Sequence, residues 1–294
     1  MQLFRVTLRL TSPLGTPLVS PMLFGQLCWI VAETDGQEAM AEWLNPERMW
    51  RISDGFPKGY LPKPLTKPRI LTAEQLLDAK LRKKASLVSR QTWLDHRKEW
   101  DETRVPIDEH SQTPLVKRAH NTIDRKSGQV IEPGGLYFAY EDWSYEKNLE
   151  IDLYVETEDE EERIQQLLSA LGRNGYGRDS STGRGQFVVS GMSRDLELSD
   201  IEGPSRRMSL SRGILTPETM RDALWRMEPH FGRAGPQTSL TGHSPFKRPV
   251  LLTRPGATFS AAGTAGRWIT GVHAEKPEIG LNGLHVSIPF QEAA

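Results

Sequence analysis

With 294 residues the chain is long enough to bury two separate cores, and two domains are expected. Apolar residues make up 37% and charged ones 26%, which leaves room for polar insertions between packed elements. A net charge of −1 excludes a global electrostatic drive towards nucleic acid, so any polyanion would have to be met by a local patch.

Phe4, Val6, Leu8 and Leu10 alternate with Arg5, Thr7 and Arg9, the pattern of a half-buried strand with a basic outer face. This start lacks a signal-peptide core, and no apolar run approaches the roughly 20 residues that span a bilayer, so cytoplasmic placement and no membrane contact are expected. Ser20-Pro21 supplies an N-cap and a first-turn proline for a helix with Leu23, Phe24, Leu27, Cys28 and Val31 at helical spacing. Cys28 is the one cysteine, which excludes an internal disulfide and points to a reducing compartment. Phe24-Gly25 reads either as close packing of this helix on a sheet or as close backbone approach to a ligand.

Prolines between Ser53 and Arg69 exclude regular helix and predict an ordered loop exposing Lys58, Lys63, Lys67 and Arg69. Thr72 and Gln75 stand at capping-box spacing before a basic amphipathic helix with Leu76, Leu77 and Leu81 beside Lys80, Arg82, Lys83 and Lys84. Residues 101–133 are polar, and the Lys126-Ser127-Gly128 turn between β-capable flanks predicts a thumb-like hairpin that buries little of itself. His120 on that hairpin reads as a base, a nucleic-acid contact or plain surface.

Leu136–Tyr140 and Ile151–Glu156 are expected strands. Thr157 with Glu160 forms a capping box for a helix burying Ile164, Leu167, Leu168 and Leu171. The acids Asp159–Glu162 suit the positive end of that helix and lack calcium-loop spacing, so no metal is predicted. The stretch Leu171–Phe187 follows, with five glycines among Arg173, Arg178, Arg184 and three hydroxyls, and then a strand at Gln186–Val189. The order β-α-insertion-β-β-α-β is a ferredoxin-like α+β arrangement, its insertion between the first helix and second strand. A degenerate second unit is expected from a strand at Arg206, a helix from Thr216-Pro217 through Met220, Leu224 and Met227, and strands within 249–253, 267–272 and 284–290. The predicted domains are 1–198, with the insertion at about 45–135, and 199–294.

Glycine admits positive φ and close approach, and free N–H groups with arginines favour phosphate. The stretch is nevertheless neither a P-loop, because Arg184-Gly185 stands where Lys-Ser/Thr is required, nor a dinucleotide fingerprint, because Ser180 replaces the third glycine. It leaves a helix C-terminus, whose dipole repels anions, so no nucleotide cofactor is expected and an extended phosphate backbone fits better.

Gly175-x-Gly177-x-x-Ser180-Ser181-x-Gly183-x-Gly185-x-Phe187 resembles the signature loop of the RAMP superfamily of CRISPR-associated proteins. Residues 16–29, 53–64, 120–128 and 135–137 narrow that resemblance to the fourth subunits of type III-A Csm effector complexes. The resemblance implies two ferredoxin-like RAMP domains and a non-catalytic subunit that caps the 5′ handle of the CRISPR RNA. It also implies docking on a Cas10-type large subunit and contact with a Cas7-like backbone subunit. On this sequence the implied RNA contacts are Phe24 and Gly25; His120, Asn121 and Arg125; and Gly175, Gly177, Arg178, Ser180, Ser181, Gly183 and Arg184, to which the exposed loop lysines Lys58 and Lys63 are added as expected contacts. Asp179 departs from the family's pattern, because a carboxylate there opposes phosphate. The competing readings are an endoribonuclease using His120 or another histidine as general base to process precursor CRISPR RNA, and a scaffold whose basic surface meets acidic proteins.

Overall fold

The computed structural model describes residues 1–107, 114–131, 133–199, 201–203, 206–235, 242–260 and 266–293, side chains at 73, 74 and 77 excepted. The chain opens with β1 (Gln2–Leu10), α1 (Ser20–Thr34) and α2 (Gln37–Trp43), followed by short strands β2 (Arg51–Ile52), β3 (Phe56–Pro57) and β4 (Tyr60–Pro62). Then come α3 (Ala73–Lys84), β5 (Leu87–Ser89), α4 (Arg90–His96), β6 (Leu115–Asn121), β7 (Leu136–Asp142), β8 (Glu150–Thr157), α5 (Glu161–Asn174) and β9 (Phe187–Arg194).

The main sheet has the order β2-β8-β1-β9, all antiparallel, with β3 also paired to β8. The place beside β8 that the sequence assigns to Leu136–Tyr140 is thus held by β2 and β3. Leu136–Asp142 pairs instead with β6, as one arm of a hairpin standing off the body. The insertion therefore follows the short second strand rather than preceding it. Two-residue strands carry too little periodicity to be read from sequence. Leu77 of the basic helix lies outside the described side chains, and 108–113 outside the described residues.

Helix α1 buries Leu23, Phe24, Leu27 and Val31 as its spacing predicts, with Ile30 added and Cys28 only half-buried. Its cap differs. Val19 precedes the helix in extended conformation, and Ser20 N donates to the Asp54 carboxylate at 2.9 Å. The Ser20 hydroxyl accepts from Arg212 N and donates to Arg212 O. A carboxylate reached through tertiary contact replaces the local cap. The capping box is also absent from α5, where Thr157 ends β8, its hydroxyl accepts from Asp159 N, and Glu160 precedes the helix. At α3 the predicted Thr72/Gln75 box is present.

The C-terminal part contains α6 (Leu196–Ser199), β10 (Arg206–Ser209), α7 (Pro217–Met220), β11 (Met227–His230), β12 (Val250–Thr253), β13 (Thr258–Ser260), β14 (Trp268–Ile269), β15 (Leu281–Asn282) and β16 (Ser287–Phe290). It forms a sheet of order β13-β10-β16 and two ribbons, β11-β12 and β14-β15. The helix expected through Met227 ends at Met220, because Leu224 exchanges backbone hydrogen bonds with Thr258 and Met227 opens a strand. Among the described residues no second two-helix ferredoxin-like unit is formed.

One core lies between the sheet and helices α1 and α5. A second joins Leu3 and Tyr154 of the sheet to Trp93 and Trp100 of the insertion and to Met208, Ile288 and Phe290. It covers the sheet face expected to be basic and open: Thr7 is buried and donates to Asp152 at 2.7 Å, leaving Arg9 exposed.

His285 is buried beneath this half, its Nε2 donating to Ile214 O at 3.0 Å and its Nδ1 2.7 Å from Ser209 Oγ. Burial, outweighing the carbonyl contact, pushes its pKa down to about 4; burial with the charges of Arg212 and Lys247 does the same at His230. Both rings fold neutral, whereas the unfolded chain protonates near its ordinary value. Their contribution is complete above about pH 6.5 and is lost as pH falls towards 4, by about 3 kcal/mol for each ring. Denaturant titrations at pH 7.5, 6 and 5 should show stability falling steeply; a flat profile refutes this assignment.

Candidate nucleic-acid interface

Helix α5 ends at Asn174, and the glycine stretch folds back through Gly175, Gly177 and Gly185 at φ 81°, 76° and 73°. Tyr176, between the first two, is fully buried. Its hydroxyl donates to Pro17 O at 2.9 Å and accepts from Val19 N at 3.0 Å, fixing the loop to the start of α1. Gly185 N donates to Pro13 O and Arg178 N to Thr16 Oγ1, so the loop lies along residues 13–19.

The hairpin β6-β7 rises beside this loop. Its turn, with Gly128 at φ 68° and Gly128 N bonded to Asp124 O, falls where the sequence places it. Leu115, Leu136, Phe138 and Tyr140 are all more than half exposed, so the hairpin projects with apolar side chains uncovered. At its base Arg178 Nη2 donates to Tyr140 O at 3.0 Å and Arg184 Nε to Glu141 Oε1 at 3.0 Å. Burial raises the Glu141 pKa, but hydrogen bonds from Arg184 and Trp143 and the charges of Arg184 and Arg118 outweigh it, and the carboxyl sits below its ordinary value.

These contacts redistribute the expected roles. Arg184 is 24% exposed, and its Nε is engaged by buried Glu141, which makes it a strut at the hairpin's base. Arg178 is 42% exposed and shared with Asp179. The donors left open are the N–H groups of Asp179, Ser180 and Ser181 and the hydroxyls of Ser180 and Ser181, which bond to no other group among the described residues. Gly183 faces open space, whereas a Cβ at Gly175, Gly177 or Gly185 would strike neighbouring atoms. Those three serve the loop's own fold.

Phe24 is in the core, stacked on Trp43 at 4.8 Å, and presents no surface. Gly25 is different: nothing lies within 4 Å of a Cβ built there, so packing on the sheet does not account for it. A helix-interior glycine costs about 1 kcal/mol relative to alanine. Lys58 is exposed and paired with Glu150, whereas Lys63, expected in solvent, is 17% exposed and held by Glu102 at 2.6 Å. Arg69, also expected in solvent, is half-buried against Asp101. His120 stacks on Tyr137 at 5.2 Å, and strand alternation puts Asn121 on the opposite face; Arg125 is exposed at the hairpin turn. Among the described residues, the hydrogen bonds between hairpin and loop lie at the hairpin's base. Tyr176, Thr16 and Glu141, which brace the site, were missed in the sequence; Tyr176, an aromatic between two glycines, was the available signal.

Two helices on an antiparallel sheet, an outstanding hairpin and a glycine-rich loop after the second helix make up a layout shared with solved structures. The fold is that of Csm4. It superposes with a TM-score of 0.64 and 17% identity on Csm4 of a Csm1–Csm4 cassette in complex with pppApA, covering 99% of both chains. In a Csm3–Csm4 subcomplex of the type III-A interference complex the TM-score is 0.58 with 14% identity, over 99% of this chain and 100% of the other. No family model and no curated protein matches the sequence. Among the described residues no helix is long and apolar enough to cross a membrane, and no group of three His, Cys, Asp or Glu side chains is placed to hold a metal.

Proposed function

We propose that the chain is a non-catalytic, RNA-binding subunit of a type III-A CRISPR interference complex, holding the 5′ handle of the CRISPR RNA between the glycine loop and the hairpin. It docks a Cas10-type large subunit and an adjacent Cas7-like backbone subunit. The observation that carries this reading is the end-to-end match to Csm4 in assemblies with both Csm1 and Csm3. The open donors of residues 179–181 beside an exposed hairpin support it, because amides and hydroxyls meet phosphate oxygens without reading sequence. Splayed handle bases would stack on aromatic planes such as the Tyr137–His120 pair. The two-unit division of the RAMP family belongs to the same proposal.

In a purified effector complex, joint replacement of Ser180 and Ser181 by glutamate should expose the handle to nuclease and weaken handle binding about tenfold. Unchanged protection would sink the proposal. The nuclease reading requires site-specific cleavage of repeat RNA that His120→Ala abolishes.

A further inference from the structure

Away from the glycine loop, a cleft of about 760 Å³ runs between the insertion and the C-terminal part, with residues 17–19 and 54–56 as its floor. Its walls are fixed by backbone contacts: Leu65 N donates to Gly256 O, and Leu65 O accepts from Thr258 Oγ1 at 2.6 Å. A Cβ at Gly256 would stand 2.5 Å from Lys63 O, so the two walls approach as closely as backbone allows.

The lining is strongly cationic in a chain whose net charge is −1. Its two acids are already engaged: Asp54 is buried and accepts from Ser20 N and Arg212, and Glu102 holds Lys63 and Thr66. Lys67, Lys83 and Arg226 line the cleft, are exposed, and form no ion pair among the described residues. Arg254 adds a guanidinium, 55% exposed and shared with Glu228. Like charges gathered in a cleft repel one another and concentrate anions.

A second hollow at the base of the hairpin adjoins the cleft: Pro17, Leu18, Gly55 and Phe56 line both, and Gly15, Thr16 and Tyr140, which touch the glycine loop, line the second. Prolines and leucines stand between the cations, apolar surface that the bases of an unstacked strand would cover and a polyglutamate chain would leave unused.

We propose that this cleft is a second nucleic-acid site, binding the sugar-phosphate backbone of single-stranded RNA that leaves the hairpin base, with Lys67, Lys83, Arg226 and Arg254 as its phosphate contacts. The inference rests on the RNA-binding reading above and extends it to a surface that neither the loop nor the hairpin supplies. The side chains of Lys67, Lys83 and Arg226 make no ion pair among the described residues, and Lys67 and Arg226 take part in the fold through their backbone N–H and C=O, which a charge reversal keeps.

The test is fluorescence anisotropy of the full chain with a labelled 15-nucleotide oligouridylate, and with a labelled polyglutamate peptide as the competing acidic ligand. Joint Lys67→Glu, Lys83→Glu and Arg226→Glu should weaken RNA binding at least about tenfold and lower the salt slope by about 2. Lys98→Glu, on an exposed site beside α4, should leave it unchanged. A 4-thiouridine oligonucleotide should crosslink to peptides containing residues 63–69 and 226. Triple-variant affinity equal to the parent overturns the cleft. So does a parent chain that binds no oligouridylate, or one whose triple variant loses only polyglutamate. Loss of binding in the Ser180/Ser181 variant with a silent triple variant removes the cleft and leaves the glycine-loop reading standing; triple-variant loss without a loop effect supports the cleft and removes that reading.

Discussion

Gly185→Ala is expected to destabilise the protein by about 3 kcal/mol or more and to release the glycine loop, whereas Gly183→Ala, two residues earlier, costs about 1 kcal/mol. Both residues have positive φ, 73° and 84°. The difference lies in what surrounds them. A Cβ on Gly185 would stand 2.0 Å from Tyr176 O and 2.6 Å from Tyr176 N, both backbone atoms that cannot swing aside, while nothing lies within 4 Å of one on Gly183. Displacing Tyr176 also breaks its hydroxyl bonds to Pro17 and Val19, so the damage spreads to the start of α1. Denaturant midpoints and limited proteolysis within 175–185 will report the contrast. Equal losses in the two variants would mean that φ alone governs the loop.

The pair Glu141–Arg184 yields the second large effect. Glu141→Gln and Arg184→Ala should each lower stability by about 2 kcal/mol, and the variant combining the two should lose less than the single losses added, with a coupling of at least about 1 kcal/mol. Glu141 is fully buried and Arg184 mostly so, hence removing Glu141 takes away the only ion pair of Arg184 among the described residues, and removing Arg184 leaves Glu141 with only Trp143 and the more distant Arg118. RNA affinity discriminates further. A strut predicts that Glu141→Gln weakens handle binding as much as Arg184→Ala, since either lets the hairpin shift against the loop. Were only Arg184→Ala to weaken binding, the guanidinium would be meeting phosphate itself.

Strong periodicity carried the reading of β1, α1, β8, α5 and β9, where alternating or three-to-four spaced apolar residues face one core. The hairpin was legible from its turn chemistry. The sheet's far edge was not, because β2 and β3 have two residues each and owe their pairing to β8 rather than to their own pattern. Leu224 and Met227 have helical spacing, but pairing with β13 and β12 overrides a propensity worth only tenths of a kcal/mol per residue. In the site, the glycine loop's position was legible and its chemistry only partly so. Sequence marks Arg178 and Arg184 as cations, but only the fold reveals that Glu141, over 40 residues earlier, claims one of them.

The second core has a consequence for how the protein is made. Leu3 from the first strand and Ile288 and Phe290 from the last share it with the Trp93–Trp100 pair, and Trp100 exchanges backbone bonds with Gln291 and Ala293. A nascent chain emerging from the ribosome holds two indoles and one face of its sheet uncovered until translation delivers residues near 290. Contacts spanning nearly the whole sequence close late and slowly, and the intermediate that waits for them is sticky. Synthesis interrupted before β16 should therefore yield aggregate or chaperone-bound chain rather than a soluble N-terminal half.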